Sequence, residues 1–221
     1  MSNSRKVLFF DIDGTLLYAK GSGRKAFQDA FFDTYKLSIN IDHINFSGAT
    51  DLGVINKLLI ENNIKYTHQK INSFFDNLAK YLEFYLSKDP PVVLDGVQSF
   101  LENIQDFCIP SIITGNTRKC ADIKLKASNL KIYFPFNGGY GDDSACRNEI
   151  AKIAIKRTER FSYGYLFGDT PKDILAAKSN GLISVAVATG KHDYDELLSY
   201  KPHYIINSFN EVEKILKDIN K

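Results

Sequence analysis

The sequence predicts an α/β protein: a Rossmann-like parallel sheet core, with an all-helical domain inserted after the first strand. Three observations carry that expectation. Short continuous apolar runs recur along the chain, as in strands buried on both faces. Segments of helical length, with apolar residues every three or four positions, separate the later runs. One long stretch, residues 17–91, has the helical period and no buried-strand run. A length of 221 residues suits one large domain, or one domain with a smaller insert.

The first run, Val7-Leu8-Phe9-Phe10, follows a polar start and ends at Asp11-Ile12-Asp13-Gly14. Helices are predicted next over 24–35, 51–62 and 67–87. The last carries Ile71, Phe74, Phe75, Leu78, Leu82, Tyr85 and Leu86 on one face, a stripe that reads as core packing. Pro90-Pro91 then breaks the chain. Further strands are predicted at 109–114, 164–167, 183–188 and 203–206. Helices are predicted at 98–107, 117–128, 147–158 and 171–179, with a closing helix at 208–219. The first run has no sheet to join unless it pairs with the later ones. The expected core is therefore residues 1–16 with 92–221, and the expected helical domain is 17–91.

Composition narrows the classes. Hydrophobic residues are 44% and charged residues 24%, ordinary globular usage that argues against whole-chain disorder or coiled coil. Lys and Arg number 28 against 26 Asp and Glu, so the net charge of +2 gives no general reason to expect a nucleic-acid or membrane partner. Cys108, Cys120 and Cys146 are odd in number and far apart, which fits reduced thiols and a cytoplasmic protein. The apolar run at Val7 is too short for a signal-peptide core or a membrane span. Oligomeric state is left open.

Three strand ends carry candidate chemistry. In Asp11-Ile12-Asp13-Gly14-Thr15 the two aspartates lie two apart, on one face of an extended chain, with Ile12 turned to the core. In open α/β sheets the carboxyl ends of strands are where ligands bind. Two like charges so close need a cation between them or a shared proton; otherwise they are a solvated strand end. Gly168-Asp169-Thr170-Pro171-Lys172-Asp173 also follows an apolar run. Pro171 suits the first turn of a helix, and Asp173 would sit in that turn, where an acidic side chain can simply stabilise the helix. Both acidic pairs at one sheet edge would form an oxygen-rich site suited to Mg²⁺. The third strand end, Ile113-Thr114-Gly115-Asn116-Thr117, offers a hydroxyl and exposed N–H groups to an anion, or only a cap for the following helix.

Together these residues resemble the haloacid dehalogenase superfamily of phosphoaspartyl hydrolases, over nearly the whole chain. Asp11-Ile12-Asp13-Gly14-Thr15-Leu16 matches the first family motif. Thr114 stands where the second places Ser or Thr, and Gly168–Ile174 matches the fourth. The insert at 17–91 is similar to the cap this family places after its first motif, and the subgroup resembled is phosphoglycolate-phosphatase-like. The third motif needs a cation, usually Lys followed by Pro, and no such pair occurs in the right stretch. Arg147 is the choice, opening a helix after the glycine-rich loop 137–141; Lys124 and Lys126 are alternatives.

The resemblance implies a Mg²⁺-dependent phosphatase of small phosphorylated metabolites. Asp11 would be the nucleophile and Asp13 the general acid and base. Asp11, Asp13 (through its carbonyl), Asp169 and Asp173 would hold the metal. Thr114, Gly115, Asn116 and Arg147 would bind phosphate. In such enzymes cap residues reach the substrate, which nominates Arg24 and Thr50; a solvated Arg24, and a helix cap by Thr50 or Asp51, are the simpler readings. A sugar phosphomutase would use the same aspartates. A 2-haloacid dehalogenase would lack the second aspartate, and a non-catalytic binding protein would be expected to have lost at least one. Gly21-Ser22-Gly23-Arg24-Lys25-Ala26 does not follow a strand, so it reads as a hinge and not as a dinucleotide loop.

Overall fold

The computed structural model describes residues 6–135, 138–158, 161 and 163–219, the side chain of Lys214 aside. Residues 1–5 of the expected core and Asn137 of the expected glycine-rich loop lie outside them.

Five parallel strands form the main sheet among the described residues: β1 (Lys6–Phe10), β4 (Cys108–Ile112), β5 (Gly164–Gly168), β6 (Ile183–Val187) and β7 (Tyr204–Ile206), in the order β4-β1-β5-β6-β7. The first apolar run thus lies between strands that come about a hundred or more residues later, Phe10 opposite both Ile112 and Phe167. Alternate residues of β1 serve opposite faces. Val7 and Phe9 pack with Ile150, Ala151, Ala154, Ala176 and Ala177, from α6 (Arg147–Arg157) and α7 (Pro171–Ser179). Phe10 packs on the other side with Phe100 of α4 (Val97–Ile104), Phe134 and Phe209, and stacks on Phe167 at 4.9 Å between ring centroids. The helix α5 (Arg118–Ala127) buries Cys120, Ala121, Lys124 and Leu125. Every strand of this sheet runs the same way, so its carboxyl ends gather at one edge.

The segment between β1 and α4 contains α1 (Ser22–Tyr35), α2 (Asp51–Glu61) and α3 (His68–Lys88). The apolar stripe of α3 is core, as its spacing predicts: Ile71, Phe74, Leu78 and Leu82 are buried, and Phe27 of α1 meets Phe74 edge-on at 4.8 Å. Thr50 and Thr67 accept from Gly53 N–H and Lys70 N–H and so cap α2 and α3. The expectation of helix alone is corrected at the ends. Leu17–Tyr18 (β2) pairs antiparallel with Val92–Val93 (β3), tying the outgoing and returning chains together.

Other differences have local causes. The helix α8 (Tyr194–Ser199) was not expected: it is short, buries only Leu197, and so has no apolar period to read; Asp193 caps it through Glu196 N–H. The closing helix divides, with a tight 3-10 turn at Phe209–Glu211 before α9 (Glu213–Ile219), because Ser208 accepts from Asn210 N–H. Pro110 stands inside β4, which it can do because β4 is the edge strand. Among the described residues no helix is long and apolar enough to cross a membrane.

Candidate active site

The sheet's carboxyl edge is built by backbone register. Asp11 N–H donates to Phe167 C=O at 2.9 Å and Ile113 N–H to Phe10 C=O at 2.9 Å, which levels the ends of β5, β1 and β4. Immediately beyond lie Asp169, Asp11 and Thr114. Asp11, Asp169 and Asp173 are buried and each offers an oxygen within 4.8 Å of the others. Gly14 makes this approach possible: its φ is +79°, and a Cβ there would stand 2.4 Å from Asp169 Oδ2.

One guanidinium serves two of the three carboxylates. Arg147, at the start of α6, places Nη2 3.0 Å from Asp11 Oδ1 and 2.5 Å from Asp173 Oδ1, and donates to Ile113 C=O at 3.3 Å. Its buried Nε has no hydrogen-bond partner. Asp173 Oδ2 accepts from both the N–H and the hydroxyl of Thr170, closing a capping box on α7. Asp169 accepts from the Thr15 hydroxyl at 3.1 Å. Burial pushes the Asp11 carboxyl up to about 6 against the pull of Arg147, with Asp173 adding to the rise. Burial and the neighbouring Asp11 push Asp169 up as well. Three carboxylates with one cation are under-compensated, and an all-oxygen donor set of this kind fits a hard divalent cation.

Asp13 faces a different cation. Its carboxylate accepts from Lys124 Nζ at 2.6 and 2.8 Å and from Asn116 Nδ2 at 2.7 Å. Asn116 Oδ1 accepts from the same ammonium at 2.7 Å, and Asn116 Nδ2 also donates to the Thr114 hydroxyl at 2.9 Å. Burial alone would lower the Lys124 ammonium, but the charge and hydrogen bond of Asp13, with the charge of Asp51 behind them, together raise it. The two carboxylates of the first strand end therefore do not share a cation: Arg147 holds Asp11 and Lys124 holds Asp13. Lys126 points away and pairs with Asp122 on the surface.

The second strand end contacts the inserted helices. Gly115 C=O accepts from Asp51 N–H at 2.8 Å, and a Cβ on Gly115 would stand 1.9 Å from Ala49 C=O. Asp51 in turn accepts from Thr117 N–H at 2.7 Å. Thr50 donates to Ala145 C=O while capping α2, so its hydroxyl is engaged in structure. Arg24 donates to Ile41 C=O at 2.6 Å and Ile44 C=O at 2.9 Å and lies over the Phe46 ring; it buckles the loop before α2. Both Thr50 and Arg24 still line the cavity of about 770 Å³ between the sheet edge and the insert, which Asp11, Asp13, Gly115, Asn116, Arg147 and Asp169 also line.

The sequence reading did not assign Thr15 to Asp169, Lys124 to Asp13, or Asp51 to the Gly115–Thr117 turn. One signal marks Lys124: it is the lone cation on the stripe that α5 otherwise buries as Cys120, Ala121 and Leu125.

The haloacid dehalogenase-like hydrolase family model matches residues 8–187, from β1 through β6. The chain belongs to that family. A pyrophosphatase, PpaX, of Oceanobacillus iheyensis is 22% identical over 220 residues, 97% of this chain and 98% of its own. Among solved structures, a hydrolase of Pseudomonas syringae superposes with a TM-score of 0.71 at 22% identity, over 96% of this chain and 98% of that one. A haloacid dehalogenase-like hydrolase of Streptococcus pneumoniae gives 0.66 at 18%, over 98% and 100%. The two structures share the fold over nearly the whole chain.

Proposed function

We propose that this haloacid dehalogenase-like phosphatase is Mg²⁺-dependent and hydrolyses small phosphomonoesters through a phosphoryl group carried on Asp11. The observation that carries the reading is the cluster of Asp11, Asp169 and Asp173, with Arg147 shared by Asp11 and Asp173 and with Asp13 held apart on Lys124. Asp11 is the nucleophile; its attack on phosphorus breaks the bond to the leaving oxygen. Asp13 gives that oxygen a proton and later takes one from the water that frees Asp11. Lys124 and Asn116 hold Asp13 in place for both transfers. Arg147, the Thr114 hydroxyl and the N–H groups of Gly115 and Asn116 bind the non-bridging oxygens. Asp11, Asp169, Asp173 and the Asp13 carbonyl would hold Mg²⁺. That ion supplies positive charge that lets an anionic carboxylate meet an anionic phosphate. Phosphoryl transfer asks for little beyond such positioning and charge.

In this reading residues 17–91 act as a cap over the core of 1–16 and 92–221. The paired β2 and β3 are where the two connections meet. A cap of that size over the sheet edge keeps out water and phosphoproteins and admits a small metabolite. A soluble, cytoplasmic enzyme follows from the reduced-thiol composition and from the nature of such substrates.

The test is phosphate release from a panel of small phosphomonoesters, with Mg²⁺ or chelator, for the wild type and Asp11→Asn. Release that needs the metal and falls by about 10⁴-fold or more in Asp11→Asn is the expected result. Metal-independent release, or an active Asp11→Asn, would overturn the reading. A sugar phosphomutase on the same residues would return the phosphoryl group to sugar and release none.

A further inference from the structure

We infer that the phosphomonoesters this site takes have an apolar leaving group, an alkyl or aryl alcohol in place of a carboxylate-bearing, phosphorylated or polyhydroxylated one. The inference rests on the phosphatase reading and adds the substrate class.

The cavity above Asp11 has two unlike halves. Its far half is walled by Phe27 of α1, Phe46, Val54 of α2, Leu78 and Leu82 of α3, and Leu94. Phe27 and Leu82 are 1% exposed and Leu78 3%, so these side chains are fixed by packing behind the wall. Cys120 adds a thiol that burial pushes up to about 12, which keeps it neutral. The surface these seven side chains offer to whatever extends from the phosphorus is hydrocarbon, ring and neutral sulfur.

The cations that line the insert's side of the cavity are engaged elsewhere. Both Nη groups of Arg24 donate to the carbonyls of Ile41 and Ile44. Lys20 pairs with Asp89 at 2.5 Å. The Thr50 hydroxyl is spent on Ala145 C=O and the α2 cap. Lys191 belongs to the core loop after β6, exposed, next to the Gly190 that abuts Asp169; it stands at the acidic edge and not on the apolar wall. A leaving group with its own carboxylate or second phosphate would enter this half and meet only cations already held, Arg24 by two carbonyls over the Phe46 ring and Lys20 by Asp89. A sugar would bury hydroxyls against Leu and Phe, and each one left without a partner costs roughly tenfold in affinity. A volume of about 770 Å³ is in the range of sites that enclose a drug-sized molecule, so there is room for an apolar group beyond the phosphate.

The test is a series of n-alkyl phosphates of increasing length, whose alcohols leave about equally well, set beside phosphoglycolate, pyrophosphate and a hexose phosphate. Each added methylene is expected to raise kcat/KM about fourfold until the wall is filled, which is the free energy of burying one CH₂. The non-hydrolysable counterparts give a readout independent of turnover: hexylphosphonate should bind about tenfold or more tightly than phosphonoacetate by calorimetry. Val54→Thr keeps the shape of the wall and adds a hydroxyl, and should narrow that preference several-fold. A flat alkyl series, or tighter binding of phosphonoacetate or methylene diphosphonate, overturns the inference. If nothing is hydrolysed and hexylphosphonate still binds preferentially, the apolar pocket stands and the phosphatase reading falls.

Discussion

The floor and the roof of the cavity meet opposite physical demands. The floor gathers Asp11, Asp13, Asp169 and Asp173 around Arg147 and Lys124, and hydrogen bonds from Asn116, Thr15 and Thr170 aim Asp13, Asp169 and Asp173. The roof gathers Phe27, Phe46, Leu78 and Leu82, and its polar groups are held by backbone carbonyls, of its own loop for Arg24 and of the core's Ala145 for Thr50. On the proposed reading, the floor would recognise a charge that is the same in every phosphomonoester, and the roof would meet the part that differs. On that reading the core would set the reaction type and the insert the substrate choice, so the two could vary separately on one fold.

The contrast breaks most visibly at the floor's two cations. Arg147→Met leaves Asp11 and Asp173 buried without their counter-charge. Losing one partner of a buried pair costs about 3–5 kcal/mol. For a chain this long that is a drop in Tm of roughly 10 °C, together with loss of phosphate release. Lys124→Met should cost far less stability, because the Asp13 carboxylate is 43% exposed and water can replace the ammonium. Its activity should still fall by about 10²-fold, the usual weight of a well-placed general acid and base. Equal stability losses in the two variants, measured by thermal unfolding, would contradict the division between a buried and a wetted ion pair.

The seam between floor and roof gives a smaller, pH-dependent effect. Asp51 opens α2 and docks on Thr117 N–H, and burial pushes its carboxyl up from 3.8 to about 6. The folded chain then holds this proton more tightly than the unfolded one. Unfolding releases it in the window between those two values, so stability falls as pH rises through about 4 to 6. Asp51→Asn removes the buried charge. In metal-free protein the variant should gain Tm over the wild type near pH 7 and gain little near pH 4. A Tm difference that does not change with pH would show that Asp51 stays well solvated at the seam.

The floor was largely legible in the sequence and the roof was not. Asp11, Thr114 and Asp169 each follow an apolar run, so calling the runs parallel strands already brings the three to one edge. Arg147 was legible as a cation opening a helix, but its contact with Asp11 depends on α6 packing beside α7, which no local pattern states. Lys124 lies 111 residues from Asp13, and its burial follows only from how α5 docks. In the insert, the period of α3 gave a helix and an inward face. It did not say that part of that face would line a cavity, nor that Arg24 would turn to its own loop. The β2–β3 pair was missed because two residues per strand carry no alternation.

In the proposed mechanism Asp11 carries the phosphoryl group. The direct measurement is acid quenching during turnover of the best substrate, followed by mass spectrometry of the peptide that contains Asp11. A phosphoryl adduct is expected on that peptide, one that disappears in Asp11→Asn and accumulates when Asp13→Asn slows its hydrolysis. Phosphate release with the Asp11 peptide unmodified at every quench time would contradict it.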